Sequence, residues 1–310
     1  MTQFTKMACT ELNKEKAIQI ALNELGRSEK DLQAEVDALK EWLGTQKHLP
    51  EIPDDHMLKN YILSNKFHME KTKKKIEMYY VMKSILPEAF KNRNPKLPHM
   101  KAVARQVALF PLGITEAGYG VTVIWMNMNK NEQTLNPYDV LSHVINSIEV
   151  LIQESVLLPG IIIHDYENIK LDYVTKITPV NFRKSMICIG KMYNIRFKEI
   201  HLVNVPGYAE VLINMYKQLV KPKIRERVMM HSTVEGLQKY LPKSILPKDY
   251  GGDLPSLRTL ADEWNKNFEK YADRFDKLDE MEVDETLRST PLQDDELLGI
   301  YGHFRKLDID

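Results

Sequence analysis

Residues 136–164 read Asn136-Pro-Tyr-Asp-Val-Leu-Ser-His-Val-Ile-Asn-Ser-Ile-Glu-Val-Leu-Ile-Gln-Glu-Ser-Val-Leu-Leu-Pro-Gly-Ile-Ile-Ile-His164. Asn136 before Pro137 is a helix start. The asparagine side chain can accept a backbone N–H that the first turn leaves orphaned, and proline at the first helical position lacks a donor that would go unused there. The helix predicted from it runs from Tyr138 to Ser155. Pro159 and Gly160 then break the chain, and Gly160 to His164 is a short strand of β-branched residues. Thr178-Pro179 repeats the cap-plus-proline device and opens a helix to about Tyr193. A strand at Glu199 to Asn204, a helix at Tyr208 to Val220, a strand at Val228 to His231 and a helix at Glu235 to Leu241 follow. Upstream, Gln106 to Leu112 and Val121 to Met126 read as strands around the turn Thr115-Glu-Ala-Gly-Tyr-Gly120. Strands alternating with helices predict an α/β fold: a mixed, mostly parallel sheet flanked by crossover helices.

The chain before this region reads differently. Residues 11–25 form a helix with Leu12, Ile18, Leu22 and Leu25 as its apolar stripe. Ser28-Glu29-Lys30-Asp31 resembles a capping box with Asp in place of Glu. Behind it Leu32, Val36, Leu39 and Leu43 step along one helix face, and Gly44 is a natural stop. Asp54 or Asp55 caps a third helix through Leu63, and a fourth follows Phe67-His68 until Pro87. Residues 1–90 therefore read as an all-helical bundle. Residues 91–104, opening Lys-Asn-Arg-Asn-Pro-Lys-Leu-Pro, read as a linker, residues 105–256 as the sheet domain, and residues 257–310 as an acidic C-terminal extension.

Composition removes several classes of function. The 310 residues carry 43 basic and 43 acidic side chains, a balance that argues against a general nucleic-acid binder. The balance hides an asymmetry: residues 261–310 hold 15 acidic and 7 basic side chains, so the body is mildly basic. A mildly basic body with an acidic C-terminal segment either meets an anionic surface on one face or is a solvated surface with a partly flexible tail. Two cysteines, Cys9 and Cys188, make neither a disulfide framework nor a zinc site. The polar N-terminus predicts no signal peptide, and the densest apolar stretch, Val144 to Ile163, is interrupted by Glu149, Gln153, Glu154, Pro159 and Gly160. A cytoplasmic protein is the expectation.

Catalytic constellations are absent. Gly118 and Gly120 precede a strand instead of following one, so no phosphate-cradling loop is predicted. The nine histidines lack metal-ligand spacing with a glutamate, and no Gly-x-Ser-x-Gly turn presents a serine. No cofactor or metal is expected. His164-Asp165 at a strand end reads either as an acid/base pair or as a structural hydrogen bond. Apolar helix surface, by contrast, is abundant around 141–152, 180–189 and 211–220. With 15 methionines, it reads either as ordinary close packing or as the wall of an adaptable cavity.

A series of ordered segments makes the chain recognisable. They include Asn65-Lys-Phe-His-Met-Glu-Lys71, Pro137-Tyr-Asp-Val140, Ile152-Gln-Glu154, Gly160-Ile-Ile-Ile-His-Asp-Tyr-Glu167 and Ile177-Thr-Pro179. Ile200-His-Leu-Val-Asn-Val-Pro206, Val220-Lys-Pro222, Lys223-Ile-Arg-Glu-Arg-Val-Met-Met-His231 and Leu246-Pro-Lys-Asp-Tyr-Gly-Gly252 continue it. Over about residues 12–256 the sequence resembles the CRAL-TRIO family, in the branch of α-tocopherol transfer protein and cellular retinaldehyde-binding protein with its arthropod members. The resemblance implies a monomeric, non-enzymatic carrier of one small hydrophobic lipid, exchanged at an anionic membrane through a helical gate. The alternative is a non-enzymatic interaction module on the same fold with an occluded pocket. The implied cavity wall falls on Leu141, Ile145, Ile148, Ile163, His164, Ser185, Cys188, Ile189, Tyr193, Ile195 and Ile200. The implied gate falls on Val211, Leu212 and Met215, and the implied phosphoinositide contacts on Arg196, Lys223 and Arg227, with Lys221 and Arg225 nearby.

Three departures from the family pattern bear on these expectations. Asn60 and Leu63 stand where relatives carry arginines, which weakens the implied basic face by about 1 kcal/mol per lost charge. Ile148 stands where the tocopherol carrier has a serine, with Val144 beside it. His164 stands where that carrier has an aromatic residue, and its imidazole either meets a ligand oxygen or bonds a backbone carbonyl.

Overall fold

The computed structural model describes residues 11–128, 131–220, 222–289 and 292. Cys9, the Leu12 side chain, Lys221 and the end of the acidic extension lie outside the described residues. The helices of the first half are α1 (Glu11–Leu25), α2 (Glu29–Thr45), α3 (Asp55–Ser64), α4 (Met69–Ile85), α5 (Pro87–Phe90) and α6 (Pro98–Gln106). Strands β1 (Val107–Ile114) and β2 (Gly120–Asn127) lead to α7 (Pro137–Glu154), β3 (Gly160–Asn168), α8 (Leu171–Lys176) and α9 (Pro179–Met192). Then come β4 (Phe197–Val203), α10 (Glu210–Leu219), α11 (Pro222–Arg225), β5 (Val228–Met230), α12 (Leu257–Lys270) and α13 (Ala272–Glu280).

The bundle forms as its caps dictate. Ser28 accepts the Asp31 N–H at 3.2 Å while Asp31 accepts the Ser28 N–H at 2.9 Å, the reciprocal pair of a capping box. Leu32, Val36, Leu39 and Leu43 are buried, as their spacing predicts. Gly44 is not the stop: α2 continues to Thr45 and closes at Gln46, whose N–H reaches the Leu43 carbonyl. Pro87 ends α4 and begins α5, because proline suits a first helical turn.

The five strands lie in sequence order, β1-β2-β3-β4-β5. β1 and β2 form an antiparallel hairpin with Phe110 opposite Val123. The remaining pairs are parallel, with Val123 beside Ile163 and Ile163 beside His201. This is the mixed, mostly parallel sheet expected. The expected helix at 235–241 is a 3-10 helix over Val234–Lys239.

Two expectations about the connecting segments are corrected. Residues 91–104 are not a solvated linker. Arg93 and Asn94 are buried, Arg93 donates to Asn146 at 2.9 Å, and Asn94 donates to both Asp276 and Asp279 at 2.9 Å. Pro98 then starts α6. The C-terminal extension is not a loose tail over its described part, since Leu257, Ala261, Trp264 and Phe268 form one buried stripe of α12.

The extension is fixed by charge as well as by apolar contact. Arg274 on α13 donates to Glu149 at 3.0 Å, to Glu51 at 2.7 Å and to the Tyr79 hydroxyl at 3.1 Å. Tyr79 donates to Glu149 at 2.7 Å, Tyr80 to Glu51 at 2.9 Å and Lys277 to Glu51 at 2.7 Å. Burial would raise the Glu51 carboxyl, but the Lys277 and Arg274 contacts hold it below its ordinary value. Removing one partner from such a cluster leaves a buried charge uncompensated. Arg274→Met is expected to lower unfolding free energy by about 3–5 kcal/mol in urea titrations. Adding Glu149→Gln should recover part of that loss.

Candidate functional site

Side chains alternate across a strand, so the sheet has two different faces. Val123, Trp125, Ile163 and Asp165 point to one face and are buried, with Arg258 of α12 over Trp125 and Tyr250 on Asp165. Thr122, Ile124, Ile162 and His164 point to the other, toward α7, α9 and α10. That second face is not filled. A cavity of about 290 Å³ lies over it, bounded by Val144, Ile148 and Leu151 of α7, Met186 and Ile189 of α9, and Tyr216 of α10. The three α7 residues recur at helical spacing and form a single inward stripe.

Each wall is held differently. α7 ends against Asn60, whose amide donates to the carbonyls of Ile152 at 3.0 Å and Ser155 at 2.9 Å and accepts the Leu157 N–H at 2.8 Å. Asn60 is thus a buried C-terminal cap for the cavity wall. Neither it nor the buried Leu63 belongs to a surface that could carry a basic face. α9 is closed at its C-terminal end by the Lys75 ammonium, which reaches the Gly190 and Tyr193 carbonyls. Burial lowers that ammonium to about 8. α10 places Leu212 against the cluster of Ile169, Tyr173 and Val174, and Ile213 against Ile200 and Leu202.

The structure brings six of the expected wall residues to the cavity: Ile148, His164, Ile189, Tyr193, Ile195 and Ile200. Five others stand elsewhere. Ile163 faces the opposite side of the sheet, because neighbours on a strand cannot share a face. Leu141 and Ile145 are buried in the main core, the Cys188 thiol lies 3.7 Å from the Met192 sulfur, and the Ser185 hydroxyl donates to the Asn181 carbonyl at 2.9 Å. Thr122, Ile124, Leu109 and Pro111 line the cavity and were not anticipated. The alternation of β2 and its pairing with β1 carry that signal. Of the gate residues, Val211 is 53% exposed, Leu212 is buried and Met215 is half-buried; Tyr216, one position on, is the α10 side chain that enters the cavity.

His164 and Asp165 form no pair, for the same strand-alternation reason. Asp165 accepts from Tyr250 at 2.7 Å and from Asn204 at 2.9 Å on the filled face. On the cavity face His164 Nδ1 lies 3.4 Å from the Tyr166 hydroxyl, not on a backbone carbonyl. Burial lowers the His164 imidazole to about 4, so it is neutral at physiological pH. Burial likewise raises the Tyr216 phenol to about 12.

Two of the implied headgroup residues lie at the start of β4. Arg196 precedes Phe197, Arg227 donates to the Phe197 carbonyl, and Lys223 is exposed on α11. Arg196 already has a partner, Glu24 of α1 at 3.0 Å, while its Nε and second terminal nitrogen are buried without one. Among the described residues no group of three or more His, Cys, Asp or Glu could hold a metal, and no helix is long and apolar enough to cross a membrane.

Comparison with known proteins agrees with this architecture. Residues 110–252 match the CRAL/TRIO domain family and residues 28–100 match the Pinta-like UBA domain. Over 242 residues, 74% of this chain, the sequence is 28% identical to proteins named alpha-tocopherol transfer protein-like from Pongo abelii and Homo sapiens, covering 68% of each. The Mus musculus counterpart is 28% identical over 220 residues, 68% of this chain and 62% of its own. The solved crystal structure of Sfh5 covers 84% of this chain and 100% of its own at 14% identity, with a TM-score of 0.42, too low to bear on function.

The buried neutral histidine makes a pH prediction. Its folded pKa of about 4 lies below the ordinary 6.5, so the unfolded chain binds the proton first as pH falls. The contribution is intact above pH 6.5 and is lost as pH drops toward 4. In His164→Phe, the slope of unfolding free energy against pH in that window should fall by about one proton, measured by denaturation at successive pH values.

Proposed function

We propose, from the match of residues 110–252 to the CRAL/TRIO domain family, that the chain is a carrier: it binds one small apolar lipid in the cavity beneath α10 and exchanges it at membranes by movement of that helix. The observation that carries this reading is the cavity. An interaction module on the same fold would close this space, since protein interiors pack to the density of organic crystals. Here about 290 Å³ stays open over an apolar sheet face, near the lower end of small-ligand sites. Each CH₂ withdrawn from water there contributes about 0.8 kcal/mol, enough to hold a compact tocopherol-, retinoid-, carotenoid- or other terpenoid-like molecule away from solvent.

The character of α10 supports its role as the gate. Leu212, Ile213 and Tyr216 face inward. Val211 and Leu219, two turns apart, leave apolar surface on the outside at 53% and 41% exposed, while the half-buried Met215 packs against the same cluster as Leu212. An outward apolar face at the surface is favoured when it enters the acyl boundary of a bilayer. Arg196, Arg227 and Lys223 supply positive charge for anionic headgroups, at about 1 kcal/mol each. A phosphoinositide there competes with Glu24 for Arg196.

Leu212 is a poor position for a test because its loss would damage the core. Val211→Asp combined with Leu219→Asp changes only exposed positions. This variant should keep the wild-type circular dichroism and bound lipid while lipid transfer between fluorescent vesicles slows at least tenfold. Unchanged transfer would rule α10 out as the gate. Absence of any apolar adduct in native mass spectra, together with no uptake from lipid-loaded vesicles, would overturn the carrier reading itself.

A further inference from the structure

The cavity wall is mostly apolar; its polar side chains are Thr122, Glu154, Ser155, Tyr193, His164 and Tyr216, and those around His164 have a defined arrangement. His164 lies under α10, whose Tyr216 enters the same space. The Tyr166 hydroxyl, 3.4 Å from His164 Nδ1, has no other partner among the described residues. The phenol and imidazole rings lie nearly parallel, 21° apart. Two arrangements of the shared hydrogen are possible, and chemistry separates them. A phenol is a good donor and a poor acceptor, while an unprotonated imidazole nitrogen is a good acceptor. If Nδ1 carried the hydrogen, the buried Tyr166 O–H would be left unpaired, which costs the full desolvation of that group. Tyr166 therefore donates to Nδ1. In a neutral ring the hydrogen then resides on Nε2, which has no partner among the described residues, on a side chain that lines the cavity.

We propose that the cavity selects an apolar ligand bearing a neutral hydrogen-bond-accepting oxygen, a carbonyl or a hydroxyl, which docks on Nε2–H of His164 beneath α10, and that it rejects carboxylates. The inference rests on the carrier reading and names its ligand class. No Lys or Arg lines the cavity, so an ionised head group would enter without a counter-charge. The one charged wall residue, Glu154, is itself acidic and is turned to Lys270 and Tyr271. Protonating His164 to meet an anion is opposed by the same burial that keeps the ring neutral. Tyr166 is a positioning residue: it sets which nitrogen faces the ligand and touches no ligand itself. Tyr216 brings a second hydroxyl to the same cavity from the gate helix, close enough that its charge would disfavour ionisation of Tyr166.

The test has a ligand-free arm and a binding arm. Nitrogen-15 histidine spectra of the full wild-type chain should show Nδ1 of His164 unprotonated and Nε2 protonated, with the resonance assigned by its loss in His164→Phe. In Tyr166→Phe the preference should weaken. Binding is read by displacement of Nile red with farnesene, farnesol, farnesal and farnesoic acid, a series matched except at the head group. Farnesal and farnesol should lose roughly threefold to tenfold in affinity in His164→Phe, the worth of one neutral hydrogen bond, while farnesene does not weaken. His164→Gln, which keeps a donor, should restore part of the loss. Farnesoic acid should bind at least tenfold more weakly than farnesol at pH 7.5. A proton on Nδ1, or identical binding ratios in wild type and His164→Phe, would overturn the head-group inference and leave the carrier reading standing. Failure of all four to displace the dye would overturn the carrier reading and this inference with it.

Discussion

A carboxylate in the middle of an apolar helix cannot be left alone in a core. Glu149 sits in α7 between Ile148 and Val150, and it is 2% exposed. Desolvating an unpaired carboxylate is far costlier than any single packing contact gains, so its partners decide what packs around α7. They come from two directions: Tyr79 from the bundle and Arg274 from the C-terminal extension. Arg274 also meets Glu51 in the loop before α3, so bundle, cavity wall and extension converge on one guanidinium. Arginine suits this position because its planar fork directs several donors at once while staying charged. Over its described residues, an extension that reads as an acidic tail is thereby part of the body.

With α7 held from behind, its apolar stripe can face a space that is not filled. The strands impose the other half of the geometry. Their period of two sends Val123, Ile163 and Asp165 into a packed face and Ile124, Ile162 and His164 into the cavity. One sheet therefore does two jobs. The packed face supplies the burial that stabilises the domain, with the Asp165–Tyr250–Asn204 contacts fixing the far end of β3. The other face is left free to take a ligand.

Much of this was legible in local chemistry. The caps at Ser28, Asp54, Asn136 and Thr178 mark helix starts that the structure keeps, and all five strands fall where β-branched runs and turn residues place them. Long-range pairing was not legible. Lys-Asn-Arg-Asn-Pro has the composition of a linker, and only the positions of Asn146, Asp276 and Asp279 make Arg93 and Asn94 interior residues. Asn60 likewise reads as a missing charge until α7 is seen to end against it. For the site, resemblance pointed to Ile163 and His164 together, whereas strand alternation permits only one of them on the cavity. The β1 and β2 wall went unnoticed because Thr122 and Ile124 carry no chemistry that singles them out.

The way the three cavity helices are attached argues for which of them moves. α7 is bound by buried charge and by an amide cap, and α9 by the Lys75 ammonium at its C-terminal end and by Asn194 donating to the Ser64 carbonyl just beyond it. Moving either would expose polar groups that need specific partners. Among the described residues no ion pair joins α10 to the body; Leu212 and Ile213 hold it by apolar contact, and the preceding turn is fixed by Tyr208 donating to the Ile169 carbonyl at 2.6 Å. Apolar contact is the one kind that a bilayer can replace without loss, since acyl chains are as apolar as leucine. In the proposed carrier the same contacts hold α10 down in water, because lifting it would expose Leu212, Ile213 and the cavity at once. The proposed gate is thus stable where there is no membrane and exchangeable where there is one. Tyr216 lines the same cavity as His164 from that helix, so in the proposed carrier a displaced gate would take one polar wall group with it.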